Sequence, residues 1–210
     1  MNKNETYIQR WMDYIKSIKA DIERMLINRY FLKEYFEIVK NNPEIQKPRD
    51  FHDWVMGNYY CSIVINIRRQ LDIRKDSISF LRLLKEIKNN PEILSRYWYK
   101  NNFKYDWADA DFTNNAGSGE FIDTKIINGD INKLSSLGCK IEKFGDEYFA
   151  HRSKSPTTNK LEIKEVDNFI DEFETLFKKY YLLFTAEGYT SFLPVWQYDW
   201  QTIFNYKWIK

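Results

Sequence analysis

The chain has 210 residues, 43% of them hydrophobic and 18% aromatic, enough for one domain whose core is built largely from rings. Basic and acidic residues number 32 and 30, and the net charge of +2 gives no chain-wide signal for a polyanion, so any nucleic-acid role must rest on a local patch. No run reaches the roughly 18 apolar residues of a membrane span.

Met1-Asn2-Lys3-Asn4-Glu5 leads into a charged amphipathic pattern rather than a secretory signal. With Cys61 and Cys139 as the two cysteines, a reduced, cytoplasmic setting away from membranes is expected. Ile8, Trp11, Ile15, Ile18, Ile22 and Met25 recur at spacings of three and four, which predicts one long helix over residues 4–40, stopped by Asn41-Asn42-Pro43. A second helix follows Pro48, with Asp50 placed to cap it, and runs through Trp54, Cys61, Val64, Ile67 and Leu71. A third begins after Asp76-Ser77 and carries Phe80, Leu83, Leu84 and Ile87. Asn90-Pro91 reads as the opening of a fourth.

Residues 101–120 are the least regular part of the chain and read as an insertion, either ordered by Trp107 and Phe112 or mobile. The carboxylates of Asp106, Asp109 and Asp111 lack the glycine and closing glutamate of a calcium loop. A fifth helix is predicted over 121–152, with Ile127, Ile131, Leu134, Ile141, Phe144 and Tyr148 as its stripe. Gly138 and Gly145 inside it each cost about 1 kcal/mol relative to alanine, which a kink or the close approach of another helix would explain. A sixth helix over 161–185 buries Leu161, Val166, Phe169, Phe173, Phe177 and Phe184 and is ended by Gly188. In the tail, 189–210, Trp196, Tyr198 and Trp200 alternate, as do Phe204, Tyr206 and Trp208. This predicts an extended or turn-rich segment whose rings pack across the bundle, with a nucleic-acid stacking surface as the alternative.

His151 is the principal candidate catalytic residue. Its imidazole exchanges protons near neutral pH, and Arg152 and Lys154 beside it can hold a phosphate. The competing role is to cap the end of helix five, where the dipole favours a cation. Arg68 and Arg69 are further candidates for RNA phosphate, supported by Asp72, which is four residues from Arg68 and able to pair with it on a helix. Arg74, Lys75, Arg82, Lys85 and Lys88 continue this basic run, which otherwise reads as a solvated, self-paired surface. His52 and Asp53 read as exposed. Two histidines and two cysteines without ligand-like spacing argue against a metal site, and no glycine-rich phosphate loop or nucleophile elbow is present, so no cofactor is expected.

Arg68-Arg69-Gln70-Leu71-Asp72, followed by Ser77-Ile78-Ser79-Phe80-Leu81-Arg82-Leu83-Leu84, resembles the central helices of AbiU2-like proteins, a group of the HEPN (higher eukaryotes and prokaryotes nucleotide-binding) superfamily. Phe149-Ala150-His151-Arg152-Ser153-Lys154-Ser155 resembles its "aHRdK" segment. Tyr180-Tyr181-Leu182-Leu183-Phe184-Thr185 and the ending from Gln197-Tyr198-Asp199-Trp200 to Trp208-Ile209 are similar too. The resemblance implies an all-α, antiparallel helical bundle over 1–210, paired as a homodimer. It also implies a metal-independent endoribonuclease of a phage-defence or toxin–antitoxin system, with RNA or a nucleotide as ligand and a cognate protein as partner. The superfamily signature is an arginine, four to six residues, then a histidine. The matching histidine is His151, and the arginine would fall where Phe144, Gly145 and Asp146 stand.

The missing arginine counts against ribonuclease activity, because cleavage through a 2′-hydroxyl needs a cation for the phosphorane-like transition state as well as a proton carrier. Arg68 or Arg69 is then the candidate to supply it in three dimensions. The alternative is a non-catalytic dimerisation or interaction module working through the helix face that carries Gly138 and Gly145. A ligand pocket beneath the aromatic tail is a third reading.

Overall fold

The computed structural model describes residues 3–150 and 161–207. His151, Arg152 and Lys154 lie outside the described residues, as does Trp208. The helices are α1 (Lys3–Asn41), α2 (Asp50–Leu71), α3 (Phe80–Asn89), α4 (Arg96–Asn102), α5 (Ala108–Ala116), α6 (Thr124–Gly145) and α7 (Ile163–Thr185). Apart from an isolated bridge between Ser95 and Phe121, the regular structure among the described residues is helical, and the protein is an all-α bundle.

The four long helices form a ring in which each runs antiparallel to its two neighbours. Side-chain pairs fix the directions. Asn28–Ser62 and Asp21–Arg69 join α1 to α2. Lys140–Glu165 and Asp130–Tyr180 join α6 to α7. Arg29–Asp171 and Trp11–Phe184 join α1 to α7. Between α2 and α6, Leu71 lies against Gly138 and Arg68 against Gly145.

The apolar stripe of α1 faces inward from Ile8 to Leu32, with Ile8, Trp11, Ile15, Ile18, Ile22 and Met25 all buried. Short α3 closes the core. Phe80, Leu81, Leu83, Leu84 and Ile87 are all buried, and the Phe80 ring lies 5.4, 5.6 and 5.5 Å from Phe173, Phe177 and Tyr180. Edge-on and tilted ring pairs at this spacing add about 0.5–1.5 kcal/mol each beyond burial. Ser79 starts α3 by accepting from the Arg82 backbone N–H at 3.1 Å and donating to the Asp72 carbonyl.

Several local expectations are corrected. Helix α2 begins on Asp50 itself, with Arg49 at the cap position and no side-chain cap, so Asp50 serves as a first-turn carboxylate facing the helix dipole. Its buried stripe is Tyr59, Ile63, Val64, Ile67 and Leu71, whereas Trp54 is 63% exposed. Asn90-Pro91 opens only the 3-10 turn Pro91–Ile93, because the α-helix waits for Ser95, whose hydroxyl caps the Trp98 N–H at 3.0 Å. Residues 101–120 are ordered and contain α5, anchored by buried Phe112 and by Arg96 bonds to the Gly117 and Gly119 carbonyls. Trp107 points outward and does not anchor it. Helix α6 stops at Gly145 and closes with one wide turn over Asp146–Ala150. Helix α7 ends one turn before Gly188, with Ala186 in the left-handed region at φ 58°.

The tail is extended and turn-rich, as its alternation predicts, with a 3-10 turn over Trp200–Asn205. Phe192 is buried against Phe177 and Tyr181, and Trp196 and Trp200 lie on Phe31 with ring centroids 5.1 and 4.8 Å apart. Among the described residues no helix is long and apolar enough to cross a membrane.

Close approach, not a kink, explains the two glycines. A β-carbon at Gly138 would collide with a Leu71 methyl, and one at Gly145 would sit 2.6 Å from Arg68 Cδ and 2.7 Å from Val64 Cγ1. Helix α2 of the same chain therefore fills the face that the interaction-module reading had offered to a partner. Gly129, on the same helix, has nothing within 4 Å of such a carbon. Gly129→Ala should gain up to about 1 kcal/mol from helix propensity alone. Gly138→Ala meets a clash costing about 1–3 kcal/mol, and urea unfolding should rank it below Gly129→Ala.

Candidate functional site

The C-terminal half of α2 and the last turns of α6 enclose an open groove of ≈ 440 Å³ lined by Ile65, Arg68, Arg69, Asp72, Arg74 and Glu142. Three of the residues singled out from sequence, Arg68, Arg69 and Asp72, thus meet in one place. The wide turn that closes α6 leads in sequence directly to His151.

Arg68 lies across the bare backbone of Gly145, and its Nη2 donates to Asp146 Oδ1 at 2.5 Å. Its guanidinium therefore occupies the neighbourhood of residues 144–146, the interval in which the superfamily's arginine would fall. The expected Arg68–Asp72 pair does not form. Helix α2 ends at Leu71, and Asp72 takes an extended conformation with ψ 128°, which destroys the i,i+4 geometry. Asp72 instead accepts from Arg74, at 2.9 Å from Nε, 2.6 Å from Nη2 and 2.9 Å from the backbone N–H. These hydrogen bonds hold its carboxyl below the usual carboxylate range despite partial burial.

Arg69 turns toward α1 and donates to Asp21 Oδ1 at 2.8 Å, while Gln70 Nε2 donates to the other carboxylate oxygen at 2.8 Å. Gln70 Oε1 in turn accepts from the Phe80 N–H at 3.2 Å. Gln70 and Asp21 are buried, so the set has a structural function: losing either of them strands the other without water. Arg82 is structural as well. It donates to the carbonyls of Arg74, Lys75 and Ser77 and to Glu86, and so clamps the α2–α3 connection.

Two acidic members of the site escaped the reading from sequence. Asp146 is the partner of Arg68, and Glu142, one turn earlier on α6, lines the groove. Burial, followed by the charge of Asp146, pushes the Glu142 carboxyl up, with Arg68 opposing. The available signal was Gly145. A glycine in the last turn of a long amphipathic helix announces an approaching neighbour, and side chains flanking it face that neighbour.

The groove combines three guanidinium groups with two carboxyls, Asp72 held low by Arg74 and Glu142 pushed up by burial. The Arg68–Asp146 pair is a third exposed on its arginine side and more than half exposed on its aspartate side. Pairs so open to water are weak, and a phosphate, which accepts two parallel guanidinium hydrogen bonds, can displace the aspartate. His52 is committed elsewhere: it is half-buried, takes the Tyr35 hydroxyl on Nδ1 and donates Nε2–H to the Ile45 carbonyl at 2.7 Å. Among the described residues no cluster of three or more His, Cys, Asp or Glu side chains could hold a metal ion.

A family model described as AbiU2, of HEPN type, matches residues 11–203, and the chain belongs to this AbiU2 family of HEPN domains. The match takes in most of α1 as well as the segments from α2 onward. No curated protein and no solved structure matches the chain.

The raised Glu142 carboxyl has a defined consequence for stability. Its folded state prefers the protonated form, so its contribution is fully present below the ordinary glutamate pKa of about 4.3 and is lost as pH rises through the higher folded value. Glu142→Gln should therefore melt above the wild type at neutral pH, and the gap should close on acidification below pH ~4. Thermal unfolding at the two pH values measures this.

Proposed function

We propose that this AbiU2-family domain acts on RNA in a phage-defence or toxin–antitoxin setting, as a homodimer, with His151 as the proton carrier. Arg68 serves as the cation that the signature interval lacks. The supporting observation is the seat of Arg68, delivered from α2 across Gly145 onto Asp146, five residues ahead of His151 in the chain. Phosphate arriving there replaces Asp146 on the guanidinium, and Arg69 and Arg74 add positive charge along the same groove. Arg152 and Lys154 extend this phosphate-binding set from the segment that follows. Attack of a 2′-hydroxyl on the adjacent 3′-phosphate forms a cyclic phosphate and breaks the bond to the 5′-oxygen, which needs a group to take the hydroxyl proton or give one to the leaving oxygen and a fixed charge for the developing dianion, roles that fit His151 and Arg68.

The second reading is a non-catalytic dimerisation or protein-interaction module. It is favoured by the internal balance of the groove, where Arg68 is paired to Asp146, Asp72 to Arg74 and Arg69 to Asp21.

Incubation of the purified chain with cellular RNA and tRNA separates the two. Cleavage is expected, falling about 10²-fold or more in His151→Ala and by about 10²–10³ in Arg68→Ala, with partial recovery in Arg68→Lys. Thermal unfolding of each variant checks that the bundle is intact. Unchanged cleavage in His151→Ala removes that residue from the chemistry. No cleavage by the wild type, with a dimer seen by light scattering, selects the second reading.

A further inference from the structure

A second concavity lies where the tail crosses α1 and α2, away from the arginine groove. It is an aromatic cavity of ≈ 440 Å³ walled by Phe31, Leu32, Tyr35, Val55 and Tyr59 and roofed by Trp200 and Phe204. Asn28, Asn58 and Ser62 form its polar edge. Through Tyr35, Ile38 and Phe204 it continues into a vestibule of ≈ 710 Å³ that carries Lys47 and Lys207, with Glu44 as the one carboxylate.

A cavity this large, ringed by aromatic side chains and marked by a few polar groups, has the dimensions and lining of a small-ligand site, about 300–1,000 Å³. The tail builds it by holding its rings against α1. Trp200 lies 4.8 Å from Phe31, its indole N–H donates to the Tyr30 hydroxyl at 3.3 Å, and Gln201 donates to Glu34 at 2.5 Å. The floor is fixed as well, because the Tyr35 hydroxyl is bound to His52, whose other nitrogen is tied to the Ile45 carbonyl.

The lining selects among ligands. Ring faces on wall and roof favour a flat aromatic body. Asn28 donates to Ser62 at 2.8 Å, so the Ser62 hydroxyl retains its own proton for a further acceptor. Asn28 and Asn58 each spend one amide N–H inside the protein, on Ser62 and on the Trp54 carbonyl at 2.7 Å, so their second N–H groups, their amide oxygens and the Ser62 proton are the donors and acceptors this edge offers a nucleobase. The lysines of the vestibule suit a phosphate attached to that base. Just outside, Phe51 and Trp54 are exposed and stacked on each other at 5.8 Å and 25°, a platform of the kind on which successive bases stack.

We propose that this cavity receives one unpaired nucleotide of single-stranded RNA, with its base between the Phe31–Tyr35 wall and the Trp200–Phe204 roof and its phosphate toward Lys47 and Lys207. This rests on the RNA reading above and adds a binding contact separate from the arginine groove.

The test uses the full chain and a short oligouridine carrying 5-iodouridine. Photocrosslinking should label peptides containing Tyr35, Trp200 or Phe204. By fluorescence anisotropy, Trp200→Ala should weaken binding on the order of 10-fold through lost stacking. The double variant Lys47→Glu with Lys207→Glu should weaken it by a similar factor and flatten its salt dependence. Both lysines are exposed, so that variant tests the site even if Trp200→Ala loosens the tail. Uridine monophosphate should compete, and dodecanoate should not. Cross-links confined to the α2–α6 groove, with wild-type affinity in both variants, overturn this inference and leave the RNA reading standing. Displacement by dodecanoate alone also overturns it. Failure to bind any RNA overturns both.

Discussion

Helices α2 and α6 touch backbone to side chain at two levels, and much of the molecule is arranged around that approach. Leu71 occupies the space a side chain at 138 would need, and Arg68 and Val64 occupy the space at 145. Two residues without β-carbons give up about 2 kcal/mol of intrinsic helix stability in total. In return the helices close to a distance that larger residues would forbid. The approach also bears on chemistry. The bare backbone at 145, where an arginine of the signature would stand, is what makes room for a guanidinium from the neighbouring helix.

The polar network at the end of α2 holds this approach in place. Arg69 and Gln70 are anchored to Asp21 of α1, Gln70 also reaches the first N–H of α3, and Ser79 returns to the Asp72 carbonyl. Arg82 gathers the carbonyls of the α2–α3 connection. Two members of what reads as a basic run, Arg69 and Arg82, are thereby spent on a buried carboxylate and on turning backbone, where an unmade hydrogen bond costs about 1–3 kcal/mol. Arg68 and Arg74 are different. Their partners are carboxylates on or near the surface, so their charge remains exchangeable.

Aromatic residues do the work that a larger aliphatic core would do elsewhere. Phe80, Phe173, Phe177 and Tyr180 form one cluster inside the bundle, and Tyr180 keeps its hydroxyl bonded to Asp130 at 2.7 Å. Burial pushes the phenols of Tyr59, Tyr180 and Tyr181 well above their ordinary range, and the last two donate to the carboxylates of Asp130 and Glu187. The tail extends the same chemistry to the surface, where rings no longer fill all the space they enclose.

The sequence by itself determined the helices and their inward faces, because a repeat of three and four on Ile8 through Met25, or on Val166 through Phe184, has only one amphipathic solution. It also marked Gly138 and Gly145 as anomalies and brought Arg68, Arg69 and Asp72 forward as a set. Local signals failed where a competing cap decided the boundary, Ser95 over Asn90 and Ala186 over Gly188, whereas Phe112 orders the stretch after α4 as one of its two readings expected. The tertiary structure alone decided who pairs with whom. Arg68 finds Asp146 and not Asp72 because α2 ends between the two, and contacts between residues 78 apart leave no periodic trace in a chain. Glu142 joined the site for the same reason: Arg68 and Asp72 reach it from the end of α2, and only Asp146 is local to it in the chain.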